Sequence, residues 1–152
     1  PIGGRENPLK SNHIMKKLIP LLLVAVMFGS CAKKVAFKPS TAVPGATGGV
    51  KIKKDQNDNY AIELHVRNLP EADDLQPPKR SYTVWMETVD NRALNVGGLE
   101  ITKGLFSKKR KGSMETTSSF RPVRIFVTPE DEQAPTVPST TPVLSTKLFK
   151  MK

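Results

Sequence analysis

Tyr60-Ala61-Ile62-Glu63-Leu64-His65-Val66-Arg67 alternates without a break. Tyr60, Ile62, Leu64 and Val66 fall on one side. Glu63, His65 and Arg67 fall on the other, because successive side chains of an extended chain point to opposite faces. The octet reads as a β-strand with one buried face. Just before it, Gln56-Asn57-Asp58-Asn59 has the composition of a tight turn, and Val50-Lys51-Ile52-Lys53 alternates apolar and basic residues. A hairpin is therefore expected here.

The same period continues downstream. Tyr82–Val89 is dense in β-formers and holds the only Trp, Trp85. Asp90-Asn91 is a turn, and Ala93–Thr102 is the next strand, with Gly97-Gly98 marking a bulge or bend. Gly112–Ser119 is a weaker, polar strand; Val123–Thr128 is strong; Ser145–Phe149 closes the pattern. No stretch of useful length has helical periodicity. Pro70, Pro77, Pro78, Pro122, Pro129, Pro135, Pro138 and Pro142 stand between the runs or at their ends, where no ladder donor is needed. About seven short strands over residues 49–150 predict an all-β antiparallel sandwich. The predicted core is Tyr60, Ile62, Leu64, Val66, Tyr82, Val84, Met86, Ile125 and Val127, with Trp85 on the other face of its strand or at the sheet edge.

Composition narrows the field. One Cys excludes a disulfide framework and a multi-Cys zinc site, and two His leave little for any metal centre. Paired carboxylates are available, but a domain this small seldom builds a deep cleft, and no nucleophile-elbow pattern occurs. No enzyme, cofactor or metal site is expected. The formal charge of the whole chain is +10.

Met15-Lys16-Lys17 precedes the apolar run Leu18–Phe28, and Gly29-Ser30-Cys31 follows. A basic start, an apolar core of about 7–15 residues and small residues before a cut site describe a secretory signal. As a helix the core reaches about 16 Å, too short for the ~30 Å hydrocarbon layer. Met15 is the expected initiator, leaving residues 1–14 without a structural role. Phe28-Gly29-Ser30-Cys31 resembles the lipobox of bacterial lipoproteins. That resemblance implies cleavage between Ser30 and Cys31 and acylation of the Cys31 sulfur, so the lipid bilayer becomes a partner through Cys31. The expected organisation is a helical signal segment with its upstream extension over 1–30. A lipidated Cys with a flexible tether covers 31–48, and a β-sandwich covers 49–150. The tether reading rests on the prolines and glycines of Ala32–Gly49. Ala32, not an aspartate, follows the cysteine, and the acidic cluster typical of surface-exported lipoproteins is missing, so an outer-membrane lipoprotein facing the periplasm is expected.

Three stretches resemble the C-terminal domain of anti-sigma-K factors: Tyr82-Thr83-Val84-Trp85-Met86, Asn95-Val96-Gly97-Gly98-Leu99, and Phe126-Val127-Thr128-Pro129-Glu130 with Pro135-Thr136-Val137-Pro138. The resemblance spans residues 49–148 and implies an immunoglobulin-like fold, without the sigma-binding region or transmembrane helix of those factors.

Lys108-Lys109-Arg110-Lys111 is the sharpest charge run. A solvated hairpin tip is favoured over contact with anionic lipid or lipopolysaccharide phosphates. Nucleic acid is set aside because an exported domain does not meet it. His65 reads as an exposed strand histidine. Glu71, Asp73 and Asp74, and separately Glu130, Asp131 and Glu132, read as solvated loop charge in preference to weak calcium sites. Two functions compete: a membrane-anchored, non-enzymatic binding or structural module with an envelope protein as candidate partner, and an extracytoplasmic sensor domain related to anti-sigma factors.

Overall fold

The computed structural model describes residues 3–4, 31–104 and 107–151. The expected signal helix and Ser30 lie outside the described residues. The chain divides between Ser30 and Cys31, and the unit that opens at Cys31 carries every described strand.

The alternating octet is strand β3 (Tyr60–Arg67), and its partners build outward from it. Before it come β1 (Lys33–Ala36) and β2 (Thr47–Lys54); after it come β4 (Ser81–Thr88), β5 (Ala93–Gly98), β6 (Glu100–Gly104), β7 (Ser107–Ser118), β8 (Pro122–Glu130) and β9 (Leu144–Ser145). One sheet runs β1-β2-β3-β7-β6 and the other β5-β4-β8-β9, with every neighbouring pair antiparallel. The expectation of an antiparallel sandwich holds, with nine strands among the described residues instead of about seven.

The inner faces meet in one core. Ile52, Ile62, Leu64 and Val66 come from the first sheet; Tyr82, Val84, Met86, Ile125 and Val127 come from the second. Their period of two is the physical cause, since it sends each alternate apolar side chain inward. The bend expected at Gly97-Gly98 is where the chain changes sheets. Gly97 has φ 139°, a conformation open to glycine, and Leu99 N–H then donates to the Tyr82 carbonyl at 2.9 Å. A bulge opposite Val84/Trp85 tightens the twist there.

One expectation needs correction, the flexible tether. Lys33–Ala36 forms β1, in register from Lys33 opposite Ile52 to Ala36 opposite Gly49. Phe37 then bridges to Thr146, and Val43 and Ala46 are buried. The glycines serve close approach, not freedom. A Cβ on Gly48 would stand 2.1 Å from the His65 carbonyl oxygen, and one on Gly49 would stand 2.4 Å from that of Val35.

Trp85 lies on the other face of its strand, the first of the two expected placements; β4 is a central strand, so the sheet-edge placement drops out, and Trp85 is 0% exposed. It stacks against Phe126 with ring centroids 6.3 Å apart, and Arg124 lies 5.1 Å over the Phe126 ring. The segment after β8 folds back toward this face. Pro135 is buried, and its carbonyl accepts from Asn95 Nδ2 at 2.8 Å.

Candidate functional site

The registers define two ends of the sandwich. At one end lie the start of β1, the β2–β3 hairpin, the end of β7 and the start of β8. Lys54 pairs with Tyr60 there, Tyr60 with Ser118, and Thr88 with Pro122. Cys31 is exposed and stands two residues before β1, so it belongs to this end. The β2–β3 turn here is built by Asp55, whose Oδ1 accepts from Asn57 N–H at 2.8 Å and Asn59 N–H at 2.9 Å. The Asn59 amide donor, more than any other group, holds the Asp55 carboxyl below its ordinary value.

At the opposite end are the β6–β7 hairpin, the loop after β3 and the start of β4. Lys108–Lys111 lies in the first half of β7. The run begins one residue past Ser107, which pairs with Gly104 where the hairpin turns, and continues into the strand. Arg110 pairs with Lys103 of β6, and Lys111 opposite Arg67 is where the ladder to β3 ends. The side chains of Lys108 and Lys109 lie outside the described residues, and Lys111 is exposed. Arg110 is drawn into a charge cluster. Its Nη1 lies 2.7 Å from Asp74 Oδ2 and its Nε 3.5 Å from Glu71 Oε1. Lys103 Nζ lies 2.8 Å from the same Glu71 oxygen. Glu71 and Asp74 are thus neutralised by cations of the β6–β7 hairpin, which answers the loop charge differently from solvent or calcium.

Beside this cluster a cleft of about 520 Å³ is lined by Glu71, Lys79, Arg80, Tyr82 and Leu99 among others. The Tyr82 hydroxyl is buried with no hydrogen-bond partner among the described residues, and burial pushes its phenol well above the usual range.

The polar feature that local reading missed is under Trp85. Trp85 Nε1–H donates to Thr128 Oγ1 at 2.7 Å, and Thr128 Oγ1 donates to Glu130 Oε1 at 2.5 Å. Ser139 closes the network: its N–H donates to Glu130 Oε1 at 3.1 Å and its hydroxyl to Glu130 Oε2. Glu130 is 1% exposed, so it is no solvated loop acid. The two-residue spacing of Phe126, Thr128 and Glu130, which puts them on one face of β8, was the available signal. His65 is exposed on β3, and its neighbour Glu63 is held by Lys51 at 3.0 Å. Among the described residues no three His, Cys, Asp or Glu side chains gather as a metal-binding group.

Comparison with protein families, curated proteins and solved structures finds no match to this chain.

Proposed function

We propose that this chain is a bacterial envelope lipoprotein. Its folded unit is an immunoglobulin-like, non-enzymatic module for binding or structural support, held at the outer membrane by acylated Cys31 and facing the periplasm. The observation that carries the reading is the coincidence at residue 31. The residue that the lipobox resemblance makes the first of the mature chain is also the residue at which the folded unit opens, and it is exposed. An acylating enzyme needs that exposure. Each buried methylene contributes about 0.8 kcal/mol, so two or three acyl chains hold the domain firmly.

Strand order supports the finer fold. Apart from β1, β2-β3-β7-β6 faces β5-β4-β8-β9. The immunoglobulin arrangement sets strands A-B-E-D against C-F-G, with an added strand beside C in its variable form. Taken in chain order from β2, these strands follow that plan, and β1 is an extra edge. Two charged side chains are committed to structure: Glu130 to the Trp85 network and Arg110 to the acidic loop. That supports a binding or structural role over catalysis.

Replacing Cys31 with Ser tests the reading. Wild-type protein should incorporate radiolabelled palmitate and fractionate with membranes, and Cys31→Ser should do neither. Equal labelling of the variant would refute lipidation at this residue.

A further inference from the structure

The end of the sandwich that carries Cys31 has a surface of its own. Four large apolar side chains are exposed among the described residues: Val89 at 60%, Phe120 at 47%, Val137 at 67% and Leu148 at 72%. Three of them gather at this end. Val89 follows β4, and Phe120 lies between β7 and β8. Leu148 precedes Phe149, whose N–H donates to the Val123 carbonyl at the start of β8. Val89, Val123 and Leu148 line an open, mainly apolar groove of about 410 Å³ together with Lys150. Exposed apolar side chains collected on one end usually mark a surface that something covers.

Charge indicates what covers it. Three carboxylates of this end are matched by cations: Asp58 lies 2.6 Å from Lys54, Asp90 lies 3.4 Å from Arg92, and Glu87, which lines the groove, lies 2.5 Å from Arg124. Asp55 is engaged by the Asn57 and Asn59 amides of its turn. Arg92 also lies 5.2 Å over the Phe120 ring. Lys33, Lys147 and Lys150 are exposed and have no carboxylate within ion-pair distance among the described residues. Exposed apolar side chains that share one end with uncompensated lysines fit an anionic bilayer surface. The apolar groups enter the headgroup boundary while the ammonium groups stay with the phosphates.

We propose that this end docks flat on the anionic phospholipid surface to which Cys31 is anchored, through Val89, Phe120 and Leu148 with Lys33, Lys147 and Lys150. The inference rests on the lipoprotein reading and deepens it. With β1 starting two residues after Cys31, the anchor has little slack, so the end beside it is the end brought to the lipid. The basic run Lys108–Lys111 is then a separate surface. Lys108 stands ten residues up β7 from Ser118, about 33 Å from the anchored end at 3.3 Å per residue.

Single-cysteine probes on the acylated mature protein test this, because acylation blocks Cys31 and leaves only the added thiol. Leu148→Cys and Val137→Cys both replace exposed apolar residues, and both are labelled with an environment-sensitive fluorophore. The proteins are reconstituted into vesicles of phosphatidylethanolamine and phosphatidylglycerol carrying headgroup-region nitroxide lipids. Quenching several-fold stronger at position 148 than at 137 is the expected result, and Phe120→Cys should follow position 148. If the protein floats with the vesicles, Cys31 is blocked, and positions 148 and 137 are quenched equally, the docking is refuted while the anchor stands. A probe at 148 left unquenched in pure lipid would assign this end to a protein partner instead. Protein that fails to float, with a maleimide-reactive Cys31, refutes the anchor and the docking together.

Discussion

A buried carboxylate is expensive unless every oxygen is answered, and Glu130 meets that condition through Thr128 and Ser139. Glu130→Ala leaves those donors without an acceptor. It should lower stability by about 1–3 kcal/mol in urea unfolding. Glu132→Ala, at an exposed position two residues on, should change it little. The sequence placed both in one acidic loop because charge runs are usually solvated. What separates them is the fold-back of the segment after β8, a non-local event with no periodic signature. Asp55 gives a prediction of the opposite visibility, since its turn was legible from composition. Its folded carboxyl titrates below the ordinary 3.8, through the Asn59 and Asn57 amides. A depressed acid stabilises the fold above its unfolded value, and that contribution is lost as pH falls through the folded value. A carboxyl-carbon NMR titration should therefore place the Asp55 midpoint below that of an unfolded peptide of the same sequence. Asp55→Asn should flatten the acid limb of stability.

Strands with strict alternation were legible, and the short edge strand was not. β3 buries alternate residues, so its apolar pattern is regular, whereas β8 is buried on both faces from Ile125 to Glu130 and was legible as a dense run of β-formers. β1 is four residues with an exposed pattern, and it is held by backbone pairing to β2, which any sequence can make. The glycines beside it read as flexible because local composition cannot reveal that strands pass within contact of their missing Cβ atoms. Gly49→Val should press on the Val35 carbonyl and loosen β1, lowering stability by about 1–3 kcal/mol. Hydrogen exchange should show faster exchange confined first to β1 and its β2 partners. A chain beginning at Gly49 should likewise be less stable than one beginning at Cys31, because it lacks β1 altogether.

At the scale of the molecule, topology sorts charge that the sequence strings along a line. Lys33, Lys147 and Lys150 are far apart in the chain yet share the anchored end, while Lys108–Lys111 belongs to the other. The sequence pointed to Cys31 through a local pattern, and only strand register relates that residue to the basic side chains distant in the chain. If the domain faces the periplasm, protease added to intact cells should leave it whole and should digest it once the outer membrane is permeabilised. Digestion on intact cells would place it outside. An anchored end exists only if the folded unit begins at an acylated Cys31. Mass spectrometry of the protein purified from membranes tests this central point most directly. The expected result is an amino-terminal peptide that starts at Cys31 and carries a thioether-linked diacylglycerol. A peptide that runs unbroken from Leu18 through an unmodified Cys31 thiol would contradict it.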